Sequence, residues 1–81
     1  MLSVISVEQT VTRIVATHFK VPSHTLQLDT RLREDLGGDS LDLVELVFEF
    51  EQALGLTVRD GTIGDLQTIG DAVRYLEALA S

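Results

Sequence analysis

Apolar side chains recur at Val7, Val11, Ile14, Val15 and Phe19, the three- and four-residue spacing that turns one face of a helix toward a core. Ser6 precedes the run and Gln9 follows it by three positions, the form of a capping box, so the pattern predicts a first helix over 7–19. Pro22 closes it, because the residue before a proline is pushed out of the helical region. Residues 20–38 have no helical or alternating period and read as one long connection. Leu26, Leu28, Leu32 and Leu36 are spaced along it and are expected to pin it to the core. Connections beyond about 12–15 residues are usually functional or disordered, and the leucines argue against disorder.

A second helical run spans 40–54 and stops at Gly55, a residue suited to the left-handed turn that ends a helix. Its apolar positions divide in two. Leu43, Leu46, Val47, Phe50 and Leu54 fall within about 100° of one another, wide enough for a core-facing stripe. Leu41, Val44 and Phe48 fall on the opposite side, with Asp42, Glu45 and Glu49 beside them and Glu51 on the other flank. Residues 56–67 contain Gly61 and Gly64, and a glycine costs about 1 kcal/mol in a helix interior, so any helix there is short and marginal. Thr68, with Asp71 at the capping-box position, opens a last helix over 69–79 whose inner stripe is Ile69, Ala72, Val73, Leu76 and Ala80. Nothing alternates as a strand would. The expected fold class is all-α, a small four-helix bundle of three longer helices plus a short third one.

At 81 residues with 44% apolar side chains, the chain is one small domain, 1–81, with a thin core. Thirteen Asp and Glu against six Lys and Arg give a formal charge of −7, which argues against nucleic acid as a partner. The charge is concentrated: residues 34–51 hold Glu34, Asp35, Asp39, Asp42, Glu45, Glu49 and Glu51 and no base. Cysteine is absent, which excludes disulfides, thiolate metal ligands and a thiol nucleophile of the chain's own. No apolar run approaches the roughly 20 residues of a membrane span, and the start of the chain lacks the basic and apolar regions of a secretory signal, so a cytoplasmic location is expected. His18 and His24 have no partner at metal-ligand spacing and read as ordinary boundary residues, so no metal is expected.

The chemistry concentrates where the long connection meets the second helix, in Asp35-Leu36-Gly37-Gly38-Asp39-Ser40-Leu41-Asp42-Leu43-Val44-Glu45-Leu46. Two flexible glycines precede an Asp suited to capping and a Ser at the helix start. By its residues alone, Ser40 is either a plain cap or an exposed nucleophile at a helix N-terminus, where an attached anion would be favoured by about 0.3–1 kcal/mol. Other readings fail. Gly38-Asp39-Ser40-Leu41-Asp42 lacks the closing glycine of a nucleophile elbow, and a calcium loop begun at Asp35 has Gly37 and Leu46 where carboxylates are needed. The like-charge pairs Asp42–Glu45 and Glu45–Glu49 each cost the helix roughly 0.2–0.5 kcal/mol. The acidic run is either a solvated face or, with Leu41, Val44 and Phe48, a partner-docking strip.

This segment resembles the signature of the acyl carrier protein family, in which an Asp-Ser-Leu triplet opens the second helix. The likeness in size, acidity, helix order and serine position extends over nearly the whole chain. It implies a carrier rather than an enzyme, with Ser40 bearing 4′-phosphopantetheine drawn from coenzyme A. The arm would supply the thiol this chain lacks and hold acyl groups as thioesters. Asp39 would be a cap and a recognition residue for the phosphopantetheinyl transferase. Leu41, Asp42, Val44, Glu45, Phe48 and Glu49 would meet basic docking patches on that transferase, on an acyl-loading ligase or transferase, and on synthase or modifying enzymes of fatty-acid or polyketide biosynthesis. Leu32, Leu43, Leu46, Val47, Phe50, Ile63, Leu66 and Tyr75 resemble the lining of an acyl pocket, and equally a plain core. The carrier is expected to be a monomer. Gly38 before the serine segment is common in the related peptidyl carrier domains, so a peptidyl or aryl carrier stays open, as does an unmodified acidic helical adaptor. Arg59 stands where many family members have Pro.

Overall fold

The computed structural model describes the backbone of residues 4–80 and the side chains of 7–59 and 63–80. Three α-helices carry the fold: α1 (Val4–Phe19), α2 (Ser40–Leu54) and α3 (Ile69–Ala80). Short 3-10 turns occupy Ser23–Thr25 and Asp60–Asp65. Among the described residues there is no strand, only an isolated antiparallel bridge between Arg31 and Thr68. The all-α class is as expected, but the third of four helices is a 3-10 turn. Two glycines in six residues remove the propensity that would sustain α-helical bonding there.

α1 begins earlier than the spacing predicts, so Ser6 lies inside the helix instead of capping it. Serine costs a helix only a few tenths of a kcal/mol, too little to set a boundary alone. The C-terminus closes on Lys20, which takes the left-handed conformation (φ 58°) without being glycine. Val21 N–H donates to Ala16 C=O (3.0 Å) and Lys20 N–H to Thr17 C=O (3.3 Å), the paired bonds of a Schellman motif. α2 ends as expected at Gly55 (φ 67°). α3 opens on the expected box: Asp71 N–H donates to Thr68 Oγ1 (3.0 Å), and Thr68 N–H to Asp71 Oδ2 (3.0 Å).

α1 packs on both α2 and α3. The predicted stripes meet in one core: Val7, Val11, Ile14 and Val15 from α1, Leu43, Leu46, Val47, Phe50 and Leu54 from α2, and Ile69, Ala72, Val73 and Leu76 from α3. Ala80 is exposed, not part of the inner stripe: the buried face of α3 ends at Leu76, and no residue of the last turn belongs to the core. The long connection is held partly by its leucines and partly by its backbone. Leu32 is fully buried and Leu26 and Leu36 pack on the core, whereas Leu28 is half exposed. What fixes the chain at Leu28 is its carbonyl, which accepts from Gly70 N–H at 2.7 Å. Leu32 N–H to Gln67 C=O (2.8 Å) and Ile69 N–H to Thr30 C=O (3.1 Å) complete the seam against the start of α3. These bonds carry the connection to the N-terminus of α2 in a defined position.

Candidate functional site

Gly37 and Gly38 deliver the chain into α2 by different means. Gly37 adopts φ 76°, open to glycine at little cost. Gly38 is buried, and a Cβ there would lie 2.9 Å from both Leu32 O and Phe19 Cζ. Asp39 follows in extended conformation and caps the helix. Its Oδ1 accepts from Asp42 N–H (2.9 Å), and Asp42 Oδ2 accepts from Asp39 N–H (2.9 Å). Asp39 therefore does the capping, and Ser40, the first helical residue, is left with an exposed hydroxyl. The only side chain described as bonding to it is Arg33, whose Nη2 donates to Ser40 Oγ at 3.2 Å. A free hydroxyl at a helix N-terminus, touched by a guanidinium, fits attachment of a group through an anionic phosphodiester.

The remaining predicted residues fall into two sets. Leu41, Val44 and Phe48 are exposed by 65%, 48% and 59%, a strip along one side of α2. Glu45 and Glu49 are exposed beside it and Asp42 is half-buried. Leu32, Leu43, Leu46, Val47, Phe50 and Leu66 are buried, with Ile63 and Tyr75 packed at their edge. Of these eight, Leu43, Ile63 and Leu66 line a cavity of about 180 Å³ together with Arg33, Glu34, Gly64 and Gln67.

Several of the acids have local work. The Asp42 carboxyl is held below its ordinary value, first by the Asp39 N–H and then by His18. His18 Nε2 lies 2.9 Å from Asp42 Oδ1, and its Nδ1 lies 3.8 Å from Glu49 Oε2. His18 is thus not an ordinary boundary residue but a link from the last turn of α1 to the acidic side of α2. With Glu45, His18 and Asp42 bring three possible ligand atoms within 4.8 Å. Asp35 is likewise lowered, first by the Arg31 N–H and then by its guanidinium. Glu51 accepts from Val58 N–H (2.7 Å) and so fastens the segment after α2. His18, Arg33 and Glu51 were not legible as partners in the sequence, since each contact joins a residue of α2 to one outside that helix.

The residues from Gln9 to Leu76 match the family model described as the phosphopantetheine attachment site. The chain belongs to the acyl carrier protein family. It is 41% identical over 63 residues to the acyl carrier protein of Onion yellows phytoplasma (strain OY-M), covering 78% of this chain and 83% of that one. It is 40% identical over 65 residues to that of Trieres chinensis, covering 80% and 81%. The solved structure of the acyl carrier protein from Enterococcus faecalis superposes with a TM-score of 0.83 at 27% identity, covering 96% of this chain and 99% of that one. The molecule is therefore an acyl carrier, and its prosthetic group is phosphopantetheine. The described residues of this carrier include no helix long and apolar enough to cross a membrane.

Proposed function

We propose that Ser40 is the attachment residue, that residues 1–81 form one carrier domain, and that the chain performs no chemistry of its own. The observation that carries this reading is the division of labour at the start of α2: Asp39 and Asp42 make the capping box between them, so the Ser40 hydroxyl is exposed and takes no part in capping. When attached, 4′-phosphopantetheine supplies a thiol on a flexible arm, on which acyl groups are held as thioesters. Asp39 and Ser40 present themselves to the phosphopantetheinyl transferase on a rigid helix start. Leu41, Val44 and Phe48, rimmed by Asp42, Glu45 and Glu49, form the docking strip for basic patches on the transferase, on the acyl-loading enzyme and on synthases. The acids steer these encounters, and the apolar strip supplies burial once contact is made. Leu43, Ile63 and Leu66 form the mouth of an acyl pocket, with Leu32, Leu46, Val47, Phe50 and Tyr75 behind it. The carrier acts as a cytoplasmic monomer.

The test is intact mass after incubation with coenzyme A and a phosphopantetheinyl transferase. The expected result is one phosphopantetheine adduct on the wild type and none on Ser40→Ala. No adduct on the wild type, or one that survives Ser40→Ala, sinks the reading. Loading with acyl against aminoacyl donors then separates an acyl from a peptidyl carrier.

A further inference from the structure

The attachment point has an electrostatic problem. A phosphodiester on Ser40 carries a negative charge into the most acidic part of the chain, next to Asp39 and two positions from Asp42. Residues 34–58 contain no Lys or Arg at all. The helix N-terminus offsets this only in part, by about the strength of one weak exposed ion pair. The preceding connection carries two guanidiniums, Arg31 and Arg33. Arg31 is already taken: its Nη2 lies 3.1 Å from Asp35 Oδ1, and its backbone N–H donates to the same carboxylate at 2.8 Å. Arg33 makes no ion pair among the described residues, and its guanidinium sits on Ser40 Oγ at 3.2 Å.

The fold holds Arg33 there. Leu32 beside it is buried, and Leu32 N–H donates to Gln67 C=O at 2.8 Å. Leu32 C=O accepts from Gly38 N–H (2.9 Å), and Arg33 C=O accepts from Gly37 N–H (2.9 Å). The backbone at position 33 is thus tied to the turn that delivers Ser40, so side chain and attachment point move together. Arg33 also lines the cavity that includes Leu43, Ile63 and Leu66. The residue that meets the attachment oxygen thus also borders this cavity, whose lining mixes polar and apolar side chains.

We propose that Arg33 is the anchor of the phosphodiester, a positioning residue that pairs with the phosphate and holds the root of the arm beside that cavity. The proposal rests on Ser40 being the attachment residue. It explains why a chain so depleted of bases around Ser40 keeps one there without a carboxylate partner. The pair is exposed and should shift the population of the held arm by roughly 1.4- to 5-fold. It should also weaken at about 1 M salt, where the Debye length is near 3 Å.

The test uses apo and phosphopantetheinylated forms of the wild type, Arg33→Lys and Arg33→Ala, with the adduct on Ser40 verified by mass. The readouts are the Arg33 Nε–Hε resonance in the wild type and the ³¹P relaxation of the phosphodiester in all three. The expected result is a shift of the Nε–Hε resonance on modification. The ³¹P relaxation should fall toward that of a free arm in Arg33→Ala, be partly restored in Arg33→Lys, and converge with Arg33→Ala when the wild type is placed in high salt. The amide spectra of the apo forms show whether the fold is common to all three, as the exposure of Arg33 requires. Equal ³¹P relaxation in wild type and Arg33→Ala, with the adduct present, overturns the anchor and leaves the Ser40 reading intact. Absence of the adduct overturns both.

Discussion

Replacing Gly38 by alanine tests whether the approach to α2 is as tight as the structure makes it. The φ of Gly38 is not positive, so alanine suits the backbone, and entropy alone would make the change stabilising by about 0.4–1 kcal/mol through the unfolded chain. Packing opposes this. The new Cβ would lie 2.9 Å from Leu32 O and 2.9 Å from Phe19 Cζ, closer than real methyl contacts allow. Leu32 O is backbone and already accepts the Gly38 N–H, and the Phe19 ring is packed on the core and in T-shaped contact with the His18 ring. Overpacking of this kind costs about 1–3 kcal/mol, leaving a net loss of up to about 2.6 kcal/mol, centred on about 1.3 kcal/mol, after the entropic gain. For a domain of this size the centre of that range lowers the melting temperature by roughly 5–10 °C. Gly64→Ala is the control: nothing lies within 4 Å of its Cβ position and its φ is not positive, so the same chemical change should be neutral or stabilising. Urea unfolding of both variants, and of Gly38→Ala in a Phe19→Leu background, reads the difference. The shortened side chain should recover part of the loss. The strain also falls next to the Asp39 cap, so transferase loading of Ser40 should slow in Gly38→Ala. Equal stability of Gly38→Ala and Gly64→Ala would refute the steric argument.

The two phenylalanines of α2 should separate stability from docking. Phe50→Ala, at a site 2% exposed, should cost about 3–5 kcal/mol in unfolding free energy. Phe48→Ala, at a site 59% exposed, should stay within about 0.5 kcal/mol while weakening transferase binding in a direct titration. Glu51→Ala should lose about 1.5–3 kcal/mol, because a buried-side amide loses a charged acceptor at 2.7 Å, and the Val58 amide should exchange faster with deuterium. Acid should unfold the protein through Asp35, Asp42 and Asp71. Asp35 and Asp42 are lowered by the backbone N–H groups of Arg31 and Asp39 first of all. Burial pushes Asp71 up, but the N–H groups of Thr68 and Gln67, the Thr68 hydroxyl and Arg74 outweigh it and the net direction is down. A depressed carboxyl contributes stability that is complete above its unfolded value of about 3.9 and is lost as pH falls through the folded value, so Asp71→Asn should flatten the acid limb of a circular-dichroism titration. Added salt should raise the melting temperature by screening the like-charged pairs of α2, and an unchanged midpoint would count against self-repulsion.

Much of this molecule is legible without coordinates, and the reason is that its helices are governed by local rules. α2 is bounded by an Asp-Asp capping box at one end and a left-handed glycine at the other, both set by residues within one turn. The period of its apolar residues separates the buried Leu43, Leu46, Val47, Phe50 and Leu54 from the exposed Leu41, Val44 and Phe48. The Thr68–Asp71 box likewise places the start of α3. Local rules fail where the deciding partner is distant in the chain. Leu28 has the composition of a core residue, yet its side chain is out, because the seam to α3 is made by its carbonyl against Gly70. His18 belongs to Asp42, twenty-four positions away, only because α1 packs on α2. Arg33 reaches Ser40 only because the turn between them is tied through Gly37 and Gly38. Side-chain period and capping chemistry thus suffice for both ends of α2, the start of α3, the two faces of α2 and the serine at its head, whereas the start of α1 and the 3-10 turn at Asp60–Asp65 escape them. Which charges gather around that serine depends on how the connection folds back on the core, since Arg33 and His18 reach α2 from other elements and no spacing rule within one helix pairs them with it.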